Sequence, residues 1–318
     1  MKRVALIVVL LMWADTSVAA DKVRLSISAV DISFLTAGLA SKRGFFRDEG
    51  LDVEIIRMNA NVSITALSTG NIDYTMIFAS VVRGALRGMP MKVVSSYMDS
   101  STHLLIARPA GIQISERLEG QNPCGQHVWR DLRRCGADDV QTRRCGPRAG
   151  TENYSSWGGK IALHRFARGI VDVAVLSPPA DSEATRLGFN VLSRFFEHFK
   201  LPFTGLGVNT KKLKEKPDEV KRMIKAALRA NRFVRQNREG TIQTLMDWVH
   251  VDRESAAATY DSTWRIFSED GNIAESGLRL VIDQGRQAMK IDRPVAIEEV
   301  ADFAPLREAQ KELGIKGR

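Results

Sequence analysis

The 318-residue sequence has little of what enzymes usually display. It contains three cysteines and five histidines. Cys124, Cys135 and Cys145 follow no CxxC spacing, and His103, His127, His164, His198 and His250 form no HExxH or other ligand spacing, so a metal centre has no support. There is no G-x-S-x-G, no P-loop and no GxGxxG, which leaves hydrolase, kinase and dehydrogenase chemistry without a motif. No cofactor is expected. Aromatic residues make up 7% of the chain and do not interleave with its lysines and arginines. The net charge of +9 therefore reads as solvated helix faces, with no nucleic acid as partner. Beyond the first twenty residues no apolar run approaches the roughly 20 residues that span a bilayer.

What is present begins at the amino terminus. Met1-Lys2-Arg3 is basic, Val4 to Trp13 is apolar, and Ser17-Val18-Ala19-Ala20 supplies small residues for cleavage. Residues 1–20 are thus expected to be a secretory signal peptide, which sends the protein to the periplasm. The remaining chain of about 300 residues is long enough for two domains with their own cores.

Strand-period and helix-period runs alternate along it, the mark of βαβ units and largely parallel sheets. Strands are predicted at Val23 to Ser28, Val53 to Arg57, Tyr74 to Phe78, Val93 to Tyr97 and Leu104 to Arg108. Helices are predicted at Thr36 to Glu49, Ser63 to Thr69 and Val81 to Arg87. Val171 to Leu176 reads as a buried strand, and Leu201 to Val208, with Gly205 and Gly207, reads as a crossover. From Pro217, well placed at a helix start, Val220, Met223, Ile224, Ala227 and Leu228 repeat at helical spacing, with lysines and arginines opposite. Further helices are expected at Thr241 to Val249, Arg253 to Phe267 and Ser276 to Met289, ahead of a Lys-rich tail.

Gly44-Phe45-Phe46-Arg47-Asp48-Glu49-Gly50-Leu51-Asp52-Val53-Glu54, followed by Ala66-Leu67-Ser68-Thr69-Gly70-Asn71-Ile72-Asp73, resembles the sulfonate, taurine, nitrate and thiamine-precursor class of periplasmic solute-binding proteins. Gly169 to Pro179 is similar to that family's second-lobe strand. The resemblance implies an α/β fold of the type II periplasmic-binding-protein kind, with two lobes, each a mixed and mostly parallel sheet flanked by helices, and a cleft between them. Lobe one is expected at 21–107 and 203–318, lobe two at 108–202. It implies a non-catalytic, monomeric component of an ABC importer that captures a small anionic or heteroaromatic solute by hinge closure and delivers it to a permease in the inner membrane. The rival within the same fold is a pyrimidine or thiamine-precursor synthesis enzyme, which the export signal argues against.

Ligands of open α/β sheets sit outside the carboxyl ends of the strands. The turns there carry Asp31 and Ser33, Asn61 and Ser63, Phe78 and Ser80, Ser96, and Ser177 with Pro178. These residues are the candidate ligand contacts, with Trp264 as an aromatic able to reach the cleft. Helix starts at three of the turns favour an anionic group, and the serines would add hydroxyl donors. Helix capping is the competing role for each serine.

The stretch 121–158 differs from its surroundings. It holds all three cysteines, six arginines and two of the five tryptophans, with neither helix nor strand periodicity. Read one base later, the codons of Gln121 to Asp131 can encode an apolar strand and a Gly-Gly turn. The shifted frame from Thr142 can rejoin the written one just before Lys160. A pair of compensating frameshifts across 121–158, from sequencing error or mutation, is therefore expected. Resequencing the gene should give codons that read as strand, helix and glycine turn in the shifted frame; codons incompatible with that frame would sink the idea.

Overall fold

The computed structural model describes residues 20–107, 173–198 and 200–315; the stretch 121–158 and all but the last residue of the expected signal peptide lie outside them. The described chain opens with β1 (Asp21–Ile27), a 3-10 turn (Ile32–Phe34), α1 (Leu35–Lys42), α2 (Phe45–Asp48), β2 (Leu51–Arg57), α3 (Ala60–Thr69), β3 (Tyr74–Thr75), α4 (Phe78–Leu86), β4 (Met91–Ser96) and β5 (Leu104–Ala107). Next come β6 (Val173–Leu176), α5 (Ala180–Arg186), β7 (Asn190–Arg194) and α6 (Phe195–His198). Then follow β8 (Gly205–Asn209), α7 (Thr210–Glu215), α8 (Pro217–Gln236), α9 (Arg238–Leu245), α10 (Arg253–Thr263), α11 (Glu275–Met289), α12 (Ile297–Val300) and α13 (Ala304–Glu312).

These strands form two sheets, one in the order β2-β1-β3-β8-β4 and one in the order β6-β5-β7. In the first sheet β1 is parallel to β2 and β3, and β8 alone runs against its neighbours β3 and β4. In the second sheet β5 is antiparallel to both β6 and β7. Period-two alternation buries Val23, Leu25 and Ile27 of β1, and the residue between the last two, Ser26, hydrogen-bonds Thr75 at 2.8 Å.

Several local expectations change. The single helix expected over Thr36 to Glu49 breaks at Gly44, whose φ of +79° ends α1 and starts α2. Asn59 caps α3 by accepting from the Val62 amide at 3.0 Å, so α3 starts before Ser63 and takes in Asn61. The strand expected to reach Phe78 ends at Thr75, and Phe78 opens α4 instead. The crossover expected over Leu201 to Val208 gives way to a strand at Gly205, so Gly205 and Gly207 have another role. They lie inside β8, where a Cβ would stand 2.2 Å from the Ser95 carbonyl oxygen and 2.3 Å from a Val81 methyl, so close packing of β4 and α4 demands glycine. The tail carries a further helix, α13, with Leu306 and Ala309 buried.

The long helix α8 is the keel of the larger unit. Pro217 sits in its first turn with Asp218 and Glu219, as the helix dipole favours. Its basic face is engaged within the molecule rather than solvated. Arg222 pairs with Asp21 at 2.6 Å, Lys225 with Glu49 at 2.9 Å, Arg229 with Asp48 at 2.7 Å and Lys221 with Glu312 at 2.7 Å. Its buried face carries Asn231, which is fully enclosed. The Asn231 amide nitrogen donates to the carbonyls of Tyr97 (2.9 Å) and Ser268 (2.7 Å), and its oxygen accepts from the Thr36 hydroxyl at 2.7 Å. Truncating Asn231 strands buried partners, whereas cutting an exposed ion pair does not. Asn231→Ala should destabilise by about 2 kcal/mol or more and Lys221→Ala by less than about 1 kcal/mol in urea unfolding; equal losses would contradict this ranking.

Candidate functional site

Two chain segments cross between the sheets, one from Tyr97 to Leu104 and one from Arg194 to Gly205. They bind each other: the amides of Leu201, Phe203 and Tyr97 donate to the carbonyls of Asp99, Met98 and Thr204 at 3.0, 3.0 and 2.8 Å. Ser96 belongs to this junction, its hydroxyl donating to the Met98 and Thr204 carbonyls.

Beside the junction lies the turn after β1. The Asp31 carboxylate caps the 3-10 turn by accepting from the Ser33 amide at 2.9 Å. Burial pushes the Asp31 carboxyl above the usual range, opposed by the hydrogen bonds from Ser33 and Phe34. The Ser33 hydroxyl shares a hydrogen bond with the Thr102 hydroxyl at 3.2 Å. The indole nitrogen of Trp248 donates to the Asp31 carbonyl at 3.2 Å, and its ring lies so close to Gly38 that a Cβ there would come within 2.6 Å.

Between Asp31 and Ser33, Ile32 faces a narrow seam. Pro178 and Pro179, from the turn after β6, line it as well, and Leu245, Val249, Val251, Ala256 and Thr259 complete the lining. The seam therefore joins residues attached to both sheets. At its rim, a guanidinium nitrogen of Arg186 on α5 lies 3.5 Å from the Ser255 hydroxyl on α10.

The ten predicted contacts divide accordingly. Pro178 lines the seam, Ser177 precedes it, and Asp31 and Ser33 flank Ile32. The others do not line it. Asn61 is exposed on α3, and its carbonyl accepts from Thr65. Ser63 is fully buried, and its hydroxyl has no hydrogen-bond partner among the described residues. Phe78 is a core residue that a Cβ on Gly205 would strike. Ser80 accepts from Arg83 at 2.8 Å. The Trp264 ring is covered by the guanidinium groups of Arg235 and Arg265, each 5.1 Å from its centroid. Sequence reasoning missed Trp248, Val249, Val251 and Thr259, for which Asp252, a strong capping residue after a helical run, was the one available signal. Among the described residues no three His, Cys, Asp or Glu side chains converge as metal ligands.

His103 sits inside the junction. Its ring meets Phe203 edge-on at 5.5 Å and Phe195 at 6.4 Å, its Nδ1 bonds the Ser101 hydroxyl, and its carbonyl accepts from the Phe195 amide. Burial lowers its pKa to about 4.

Residues 32–122 match the family model described as NMT1/THI5 like. No curated protein matches the chain by sequence. A protein of Bordetella bronchiseptica RB50 superposes with a TM-score of 0.70 at 17% identity, over 93% of this chain and 99% of its own. The periplasmic aliphatic sulphonate binding protein SsuA of Escherichia coli gives 0.63 at 14% identity, over 89% of this chain and 92% of its own. The desulfurization enzyme DSZB gives 0.60 at 15% identity, over 92% and 99%. The chain thus has the type II periplasmic-binding-protein fold, as its sequence implied, and that fold serves both a binding protein and an enzyme.

The buried imidazole makes stability depend on pH. The unfolded chain protonates His103 near pH 6.5 and the native chain only near 4, so the stability contribution is complete above about 6.5 and is lost as the pH falls towards 4. The loss reaches at most about 3 kcal/mol. His103→Gln should flatten that part of the stability–pH curve relative to wild type; parallel curves would show that His103 is not the titrating group.

Proposed function

We propose that the chain is the extracytoplasmic solute-binding component of an ABC importer. In this reading residues 1–20 direct export to the periplasm and are removed. Lobe one comprises 21–107 and 203–318, lobe two comprises 108–202, and a monomer closes over one small solute before presenting it to the permease. The observation that carries the reading is the seam, whose lining joins Ile32, from the turn that follows β1, to Pro178 and Pro179, from the turn that follows β6, while two paired chain crossings link the two sheets. Such a junction bends with few broken contacts, and bending it opens or shuts the space between the lobes. The half-buried carboxyl of Asp31 and the Ser33 hydroxyl, bonded to that of Thr102, adjoin Ile32 in the chain and are suited to orient a polar head group. The SsuA likeness adds a sulphonate binder of the same fold.

A second reading, a pyrimidine or thiamine-precursor synthesis enzyme, has the DSZB likeness in its favour, since an enzyme uses this fold. The most conspicuous candidate base, His103, is committed to Ser101 and two phenylalanine rings inside the junction. Calorimetric titration against sulfonates, nitrate, aromatic carboxylates and pyrimidines separates the two. Capture predicts saturable one-to-one binding with the solute recovered unchanged; chemical conversion of a solute on incubation would contradict it.

A further inference from the structure

The element that completes the seam is irregular in a particular way. After α9 the backbone widens into a π-helical turn over Met246–His250, and His250 then takes a left-handed φ of +59° before Val251 extends. Both features are rare, and a left-handed residue bearing a side chain is retained only where its surroundings impose it. Their effect is legible in the lining. On a regular helix residues two apart point about 200° away from each other, so Val249 and Val251 could not share a surface. Here both line the seam. Trp248, just before them in sequence, is not part of the lining and is pinned by its hydrogen bond to Asp31 and its contact with Gly38. Asp252 fixes the far end by capping α10 through the amide and hydroxyl of Ser255, at 2.8 and 2.9 Å.

The result is an apolar lining. Ile32, Leu245, Val249, Val251 and Ala256 share it with the two rigid proline rings, and Thr259 is its single polar side chain. A small hydrated anion gains nothing from such a lining, whereas a flat apolar body gains in proportion to the area it buries when the lobes shut. The polar groups of Asp31 and Ser33, the chain neighbours of Ile32, and of Thr102 are not part of that lining.

We propose that the turn from Met246 to Val251 is a specificity element that selects solutes carrying a planar aromatic body over small polar anions. This rests on the solute-capture reading above. The test uses two pairs of probes that share a head group and differ in body: benzenesulfonate with methanesulfonate, and benzoate with acetate. Each is titrated calorimetrically into the full chain, into Val249→Thr/Val251→Thr, and into Val251→Thr alone, whose single near-isosteric change guards against misfolding of the double variant. Wild type should prefer the aryl member of at least one pair by about thirtyfold, from the extra apolar area buried. The variants should cut that ratio to within about fivefold. Equal affinities within both pairs, or an aryl preference that survives both variants, would overturn the specificity role while leaving capture intact. Absence of saturable binding by all four probes would overturn capture for these solutes, and the specificity role with it.

Discussion

Asn231 is the residue on which the arrangement turns. It lies on the buried face of α8, sealed from solvent, and holds three partners that belong to three different segments: Thr36 of α1, Tyr97 at the start of the first chain crossing, and Ser268. An amide has one acceptor and two donor hydrogens to satisfy, and all are engaged here, which is the condition under which a buried polar group specifies a position instead of costing stability. The ion pairs along the outer face of α8 add register but are individually weak. With α8 held, the sheet, the β1 turn and the first residues of the junction are placed relative to one another. The Asp31 turn inherits its position from that frame through α1 and Trp248.

The site built on this frame is chemically divided. Next to Ile32 in the chain are a carboxyl whose pKa burial raises and a hydroxyl bonded to that of Thr102; the seam itself is apolar. Their combination is suited to orienting a head group while rewarding contact with an apolar body, the usual division of labour in small-molecule sites.

Much of the fold was legible in the sequence because its signals are local. β1, β2 and β4 alternate or run apolar over their length, and Pro217 and the repeat from Val220 to Leu228 declare α8. The misreadings are equally physical. Met76 and Ile77 prolong the apolar run of Tyr74 and Thr75, so period alone could not see that the strand stops where α4 begins. Gly205 and Gly207 look like flexible joints until the neighbours that crowd them, Ser95 and Val81, are known. The candidate site was half legible. Turn positions after strands lead to Asp31, Ser33 and Pro178, since strand ends are a general rule of this architecture. Val249 and Val251 come from a helix junction more than two hundred residues from Ile32, and their convergence depends on a backbone distortion that no propensity announces. Trp264, expected as an aromatic able to reach the cleft, has the guanidinium groups of Arg235 and Arg265 over its ring.

The central claim is that two lobes shut over a solute at the seam. Val62 on α3 and Leu187 after α5 are both exposed, at 51% and 52%, and sit on opposite sides of the junction. Spin labels at these two positions report the lobe separation directly. Capture by closure predicts that the inter-label distance distribution narrows and shifts to shorter values when a binding solute is added. A distribution unchanged at saturating solute would contradict it.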